Sequence, residues 1–345
     1  MNAAHHAHWE TDTHPATSYG ESMKTAAQHW DEWQQQRTPG GFTDWGDHPY
    51  AFAQICENAF GDGDCDFIEY IRRCLPDLSQ AHVLSLCCGD GAFEHALLQK
   101  GVFGQVTGFD VSAERVNAGN AAFAAQHGSA SAQKIHLECK NVNTAQYGTA
   151  QYDIVFAKSA LHHIENLEHA FAQIARCLKP GGKLVTIDFF GPTRFQWTEQ
   201  QLKARSWFWR NRVPEALRQD KTGNEIPEIE RPGVQAMIAM DPSEAVRSGE
   251  LYTLLKQYFV PSQDIALGGS LVNLLLYGDI VNNFDPAIPE HNAVIQEAFA
   301  LERLLMDLGV LNSDFRLIIA EPLARPTPQP GLRERLAALW SGGAK

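Results

Sequence analysis

Val83-Leu84-Ser85-Leu86-Cys87-Cys88-Gly89-Asp90-Gly91 is a short apolar run that ends in a tight glycine turn. The following stretch, Phe93 to Lys100, has the composition of a helix, and Val106 to Phe109 is a second apolar run ended by Asp110. A glycine has no Cβ, so its backbone can approach a ligand closely. An acid closing the next strand, about 20 residues on, can accept hydrogen bonds from both hydroxyls of a ribose. A glycine turn alone carries little information, because any strand-to-helix turn can hold one. The turn together with Asp110 is more specific.

Outward from this unit the texture repeats. A helix over Ser112–His127, with Ser112 as N-cap, leads to strands at Ile135–Cys139 and Tyr152–Ala157. A helix over Leu167–Leu178 stops at Lys179-Pro180-Gly181-Gly182, and strand Lys183–Asp188 follows. Strands alternating with helices imply βαβ units, a parallel sheet and right-handed crossovers. Ligands of such sheets bind beyond the carboxyl ends of the strands, at the switch point.

The flanking segments differ. Glu21–Gln36 and Pro49–Cys74 read as helices, the first broken by Pro39-Gly40-Gly41 and the second carrying Phe67, Ile68, Ile71 and Leu75 at helical spacing. Residues 192–262 read as a helical insertion in which Asp241-Pro242-Ser243-Glu244 has the form of a capping box. Gln263–Leu267 and Phe315–Ala320 read as strands, with helices over Leu271–Val281 and Ala293–Leu308 between them. The chain thus divides into a disordered tail (1–18), an N-terminal helical lid (19–80), an α/β core (81–191), a helical substrate cap (192–262), remaining core strands and helices (263–321), and a proline-rich linker and tail (322–345). Trp30, Trp33 and Trp45 suit either a lid folded over a ligand or a simple packed cap.

Composition narrows the function classes. The 345 residues are 44% hydrophobic, enough for a substantial core, and carry a net charge of −13. A nucleic-acid binder usually presents a basic face, and none is evident. The seven cysteines form no CxxC pair and are odd in number, which disfavours a zinc knuckle and a disulfide scaffold. No apolar run reaches the roughly 20 residues of a membrane span, and the polar, His-rich N-terminus lacks a signal-peptide core. The expected location is the cytoplasm. His5, His6 and His8 are either metal ligands or part of an unstructured tail.

Two further pieces sharpen the reading: Tyr152-Asp153-Ile154-Val155-Phe156-Ala157 followed by Leu161-His162-His163, and Leu178-Lys179-Pro180-Gly181-Gly182. With the glycine turn and Asp110, these motifs resemble the class I S-adenosylmethionine-dependent methyltransferases over roughly residues 81–190. The resemblance implies a doubly wound, Rossmann-like, seven-stranded sheet with an antiparallel last strand, S-adenosylmethionine as cofactor, and a small-molecule acceptor such as a sugar, lipid or secondary metabolite, O- or N-methylated. It implies that Cys87, Cys88, Gly89 and Gly91 wrap the methionine part and that Asp110 holds the ribose. Val111, Asn141 and Val142 then lie at the adenine, and Ala157 and Lys158 at the methionine end. Ser85, Cys87 and Asn141 stand where the family usually has an acid, a glycine and an acid. A nicotinamide-dependent enzyme is disfavoured, since G-x-G-x-x-G is absent. A protein that binds the cofactor without methylating, or uses it for another reaction, is the alternative.

Methyl transfer is a direct displacement that needs alignment and exclusion of water. A hydroxyl acceptor also needs a general base. His163, or else His162, is the candidate base, with packing and helix capping as the bland alternative. Asp188 is a base, a metal ligand or a hydrogen-bonded loop carboxylate. Arg194 and Trp197, leaving the same strand end, would grip an anionic or ring-shaped acceptor or else seal the core. No metal is required, and neither the acceptor, the methylated atom nor the oligomeric state is named by the sequence. Asp110→Ala should weaken S-adenosylhomocysteine binding in calorimetry by about 2–5 kcal/mol, the loss of two charge-assisted hydrogen bonds. Unchanged affinity would contradict the ribose assignment.

Overall fold

In the computed structural model, which describes residues 26–32, 41–75, 78–131 and 134–323, seven strands form one sheet. They are β1 (His82–Leu86), β2 (Gln105–Asp110), β3 (Ile135–Cys139), β4 (Tyr152–Lys158), β5 (Leu178–Phe189), β6 (Phe259–Gly268) and β7 (Phe315–Pro322). Their order is β3-β2-β1-β4-β5-β7-β6. β1 to β5 pair in parallel, and β7 runs antiparallel between β5 and β6. After β3 the chain crosses back over β1 to begin β4. The switch point therefore lies between the carboxyl ends of β1 and β4, the place where such sheets bind ligands.

The central strands are apolar because both their faces are covered. Successive side chains point to opposite faces, so Val83, Ile154, Phe156 and Val185 enter one buried layer while Leu84, Leu86, Val155 and Leu184 enter the other. The first layer packs under α1 (Pro49–Phe60), α2 (Phe67–Cys74), α3 (Ala92–Gln99), α4 (Ala113–Ser131) and a later helix, α10 (Pro289–Asp307). The second packs under α5 (Leu167–Cys177) and α8 (Ser248–Tyr258). Residues 192–258 contain α6 (Glu199–Arg212), α7 (Val234–Met240) and α8, and the short α9 (Val272–Leu275) follows β6.

Several boundaries depart from expectation, each for a local reason. The helix expected over Pro49–Cys74 is two helices. Gly61, at φ 70°, ends α1, and Asp66 starts α2 by accepting the Glu69 amide at 2.8 Å. β6 begins at Phe259, inside the span read as insertion, because Pro261 is tolerated at a register shift on this edge strand. The helix expected over Leu271–Val281 is α9 followed by a 3₁₀ segment at Gly278–Asn283. Asp241 does not cap a helix start. It ends α7, and its Oδ1 accepts from the amide and hydroxyl of Ser243 in a turn, with α8 starting only at Ser248. The capping box of this region is instead Thr198 with Gln201, at the start of α6. Of the helix expected over Glu21–Gln36, residues 26–32 are helical. The rest of it, the tail expected at 1–18, the His5–His8 cluster and Trp33 lie outside the described residues, as does the expected C-terminal segment (322–345) beyond Leu323; its first residue, Pro322, ends β7.

Gly119 couples helix to glycine turn. A Cβ there would sit 2.2 Å from the Asp90 carbonyl oxygen and 2.7 Å from Leu137. Its neighbour Asn120 brackets Leu137 of the edge strand β3, donating to its carbonyl at 2.9 Å and accepting from its amide at 3.1 Å. Gly119→Ala gains about 1 kcal/mol of helix propensity. It also forces apart two pieces of backbone, and overpacking of this kind costs typically about 1–3 kcal/mol. The clash should win: urea denaturation should show the variant destabilised, whereas a stabilised variant would contradict the packing.

Candidate active site at the carboxyl ends of the strands

β1 delivers the chain into the glycine turn. Gly89 and Gly91 have φ of 59° and 68°, the region that favours glycine, and Cys87 shares it at 50°. The cysteine thus stands in a glycine conformation, at a cost of order 1 kcal/mol. Burial and the negative Asp110 raise both neighbouring thiols, Cys87 and Cys88, which keeps them protonated. Asp110 is drawn against the turn: its Oδ2 accepts the Gly89 amide at 2.7 Å and its Oδ1 the Ser112 amide at 2.9 Å. Arg115 lies over Gly89, where a Cβ would fall 2.2 Å from the guanidinium.

The remaining cofactor candidates line the same edge. Val111 follows Asp110, and its carbonyl accepts from the Cys139 thiol. Asn141 turns its Oδ1 back onto the Asn143 amide at 2.9 Å, and the buried Val142 accepts the Tyr147 hydroxyl at 2.7 Å. Ala157 is fully buried in β4, while Lys158 at its end is exposed and lies over the Phe93 ring. The cradle suits S-adenosylmethionine. Its two glycines let Arg115 approach at Gly89 and Leu137 and Phe123 at Gly91, and a strand-end carboxylate stands beside it. One carboxylate oxygen, Oε2 of Glu94, is buried without a hydrogen bond among the described residues.

Across the switch point, β4 and β5 present the two histidines. Asp188, only 1% exposed, accepts from the amides of Ala160 at 2.9 Å, Leu161 at 2.7 Å and Phe189 at 2.8 Å. Its Oδ1 also meets His162 Nδ1 at 2.6 Å. His162 Nε2 then lies 3.6 Å from Glu244. His163, its ring centroid 4.1 Å from that of His162, places Nδ1 3.1 Å from the Ser243 hydroxyl, and the edge of Trp30 meets its ring. One ligand-type atom from each of His162, His163 and Glu244 falls within 4.8 Å of the others, the group among the described residues with the spacing to share a cation.

The two imidazoles are pushed apart. Burial alone would lower His162, but Asp188, through charge and hydrogen bond, overrides it and holds the ring protonated up to about 9. His163 has only a more distant acid, Asp241 Oδ2 at 3.9 Å from its Nδ1. Burial, reinforced by the positive charge of His162, pushes it below the ordinary value and keeps it neutral.

Two sequence candidates are committed elsewhere. The Arg194 guanidinium donates to the carbonyls of Asp241 (3.3 Å), Glu244 (2.9 Å) and Pro242 (2.6 Å), and so fastens the loop that carries Ser243 and Glu244 to the histidines. Trp197 is 2% exposed and stacks on Phe195. Asp241, Ser243 and Glu244 were legible in sequence only as a helix cap. Glu94 gave no sequence signal beyond the missing acid at Ser85. A concavity of about 530 Å³ lined by Leu75, Leu78, Asp153 and Lys179 opens at the amino ends of β1 and β4, the edge opposite this chemistry.

The Asp188–His162 pair has a pH signature. His162 is raised in the fold, so its contribution to stability is complete below the ordinary histidine value of about 6.5 and is lost as pH rises through about 9. In nitrogen-15 NMR the His162 ring should titrate near 9. Asp188→Asn should lower it, since burial is then opposed only by Glu244 and Asp241, and should diminish that part of the pH dependence of the denaturation midpoint. A ring that titrates at the ordinary value in wild type would contradict the pairing.

Residues 84–186 match the methyltransferase domain family. The chain is 31% identical over 108 residues to a demethylmenaquinone methyltransferase of Leptospira interrogans, covering 31% of this chain and 42% of the relative. It is 30% identical over 108 residues to O-methyltransferase cnsE of Penicillium expansum, covering 31% and 37%. The chain therefore spans about two fifths of the length of these relatives. Among solved structures, geranyl diphosphate C-methyltransferase of Streptomyces coelicolor A3(2), in complex with Mg2+, geranyl-S-thiolodiphosphate and S-adenosyl-L-homocysteine, superposes with a TM-score of 0.50 at 14% identity, over 90% of this chain and 99% of that one. That likeness is one of fold. The glycine turn, Asp110 and the seven-stranded sheet belong together: over residues 84–186 this chain carries a class I S-adenosylmethionine-dependent methyltransferase domain.

Proposed function

We propose that the chain transfers a methyl group from S-adenosylmethionine to a hydroxyl of a small-molecule acceptor, a sugar, lipid or secondary metabolite, with His163 as general base. The observation that carries this is the split pair of histidines at the switch point, one held protonated by Asp188 and the other held neutral beside it. The cofactor supplies an electrophilic methyl group on its sulfonium. The protein aligns the acceptor, removes the hydroxyl proton to the His163 imidazole and passes it to solvent after transfer. Asp188 and His162 act as positioning residues: they fix the loop, and the His162 charge adds to burial in keeping His163 neutral.

The surroundings favour a small acceptor. Helix 26–32 lies over the crevice, with Trp30 against His163 and Asp31 against the Glu114 amide. The loop that Arg194 fastens covers the other side. This covering favours a small molecule over a duplex, and the net charge of −13 disfavours polyanions. One relative named above is called a demethylmenaquinone methyltransferase and the other an O-methyltransferase, which supports the same class. The cysteines are all free, which suits the cytoplasm. No helix among the described residues is long and apolar enough to cross a membrane.

The test uses protein dialysed against EDTA, methyl-labelled cofactor and a deproteinised metabolite extract. Labelled small product and S-adenosylhomocysteine should both form. His163→Ala should lower kcat by about 10²- to 10⁴-fold, the usual weight of a general base, with cofactor affinity little changed. In wild type, kcat should rise with pH through a value below 6.5 and then level off, and the variant should lose this acidic limb. Near-normal kcat in the variant would make His163 structural. S-adenosylhomocysteine-free turnover would point to another reaction of the cofactor.

A further inference from the structure

Asp241, Ser243 and His163 form a chain of polar groups whose proton positions can be counted. Asp241 ends α7 at 3% exposure, and its Oδ2 has no hydrogen bond among the described residues. Its Oδ1 accepts the Ser243 amide at 2.8 Å and stands 2.7 Å from the Ser243 hydroxyl. That hydroxyl, also buried, lies 3.1 Å from His163 Nδ1. A serine hydroxyl carries one proton and two lone pairs. Oδ1 already acts as an acceptor toward the amide, so the hydroxyl donates to it. A reversed hydroxyl would set two bare oxygens against each other in the interior, at the cost of an unmade hydrogen bond. With its one proton spent on Asp241, Oγ can only accept from Nδ1. A neutral imidazole donates from one nitrogen and accepts at the other. The proton of His163 therefore lies on Nδ1, and Nε2 is bare.

We propose that Ser243 and Asp241 are positioning residues for the methyl transfer: they hold His163 in the Nδ1–H tautomer and so make Nε2 the atom that takes the acceptor's proton. This inference rests on His163 being the base and says which nitrogen acts and what selects it. In the transfer the acceptor oxygen gains the methyl group and gives its proton to Nε2. The sulfonium departs as a neutral thioether, and the ring carries the positive charge until solvent takes the proton. Asp241 Oδ2, 3.9 Å from Nδ1, then faces a cation. The unpartnered oxygen thus meets its charge as the reaction proceeds, where electrostatic stabilisation accelerates the step. His29, from helix 26–32, lies 4.0 Å from the same oxygen. Arg194 holds the carbonyls of Asp241, Pro242 and Glu244, and so keeps Ser243 within reach of a ring 80 residues away.

Nitrogen-15 NMR of wild type dialysed against EDTA reads the tautomer directly, with the His163 signals identified by their loss in His163→Ala. Above pH 6.5, where the ring is neutral, it should show a protonated Nδ1 and a bare Nε2. Ser243→Ala removes the acceptor, and Asp241→Ala frees the hydroxyl to donate to Nδ1. Each should move proton population onto Nε2. With labelled cofactor and the metabolite extract, Ser243→Ala should lower kcat by about 10- to 100-fold, the weight of one buried hydrogen bond, and leave S-adenosylhomocysteine affinity unchanged. Added to His163→Ala it should lower kcat no further, because a residue that acts through the histidine has nothing left to act on. The wild-type spectrum decides the matter if a variant fails to fold. A proton on Nε2 in wild type, an unshifted tautomer in either folded variant, or a further loss in the double variant would overturn the inference. Near-normal kcat in His163→Ala beside an Nδ1–H tautomer would overturn the base reading itself, and the inference with it.

Discussion

A carboxylate buried at 1% exposure dictates the geometry of the catalytic half of the site. Asp188 closes β5 in the interior, where an unpaired charge costs several kcal/mol. Its oxygens therefore collect the donors within reach: the amides of Ala160, Leu161 and Phe189, and the His162 ring. The loop after β4 holds only a single 3₁₀ turn, Leu161–His163, to fix it. It takes its shape from satisfying this charge, and the two histidines ride on that loop. One carboxylate thereby orders a turn and orients one imidazole, whose charge adds to burial in lowering the second.

The cofactor half obeys a different constraint, close approach of backbone. The turn is narrow because Gly89 and Gly91 take conformations that side chains resist, and because Gly119 lets α4 press against the Asp90 carbonyl. Asp110 then closes the unit by accepting the Gly89 amide. Cys87 shows that the conformation outranks the residue: the turn keeps its positive φ even where a cysteine must bear it.

The two halves meet because the sheet changes winding direction between β1 and β4. Two covering pieces reach across the gap. Helix 26–32 brings Trp30 to His163, and the 241–245 loop brings Ser243 and Glu244. Arg194 explains the second approach. With φ of 53° and a guanidinium spread over three carbonyls, it holds the loop in place of any helix. An arginine after a strand end suggested an anion grip, but its donors are consumed by the protein's own backbone.

Local pattern determined the strands, the glycine turn and Asp110, because strand alternation, helix periodicity and turn chemistry act over a few residues and leave their mark on composition. β1 and β3 fall where the apolar runs end, and the breaks at Gly61 and Pro261 misplaced boundaries without altering the topology. Tertiary structure alone decided which charges meet. Asp188 and His162 are 26 residues apart, His163 and Ser243 are 80 apart, and Arg194 reaches carbonyls 47 to 50 residues away. No periodicity links such pairs. Asp241-Pro242-Ser243-Glu244 has the local form of a helix cap, yet burial of its polar groups beside two imidazoles made it part of the site. Glu94 is the sharpest case: in sequence it is one acid in the first turn of a helix, and only the fold sets it against Ser85 with an oxygen left over.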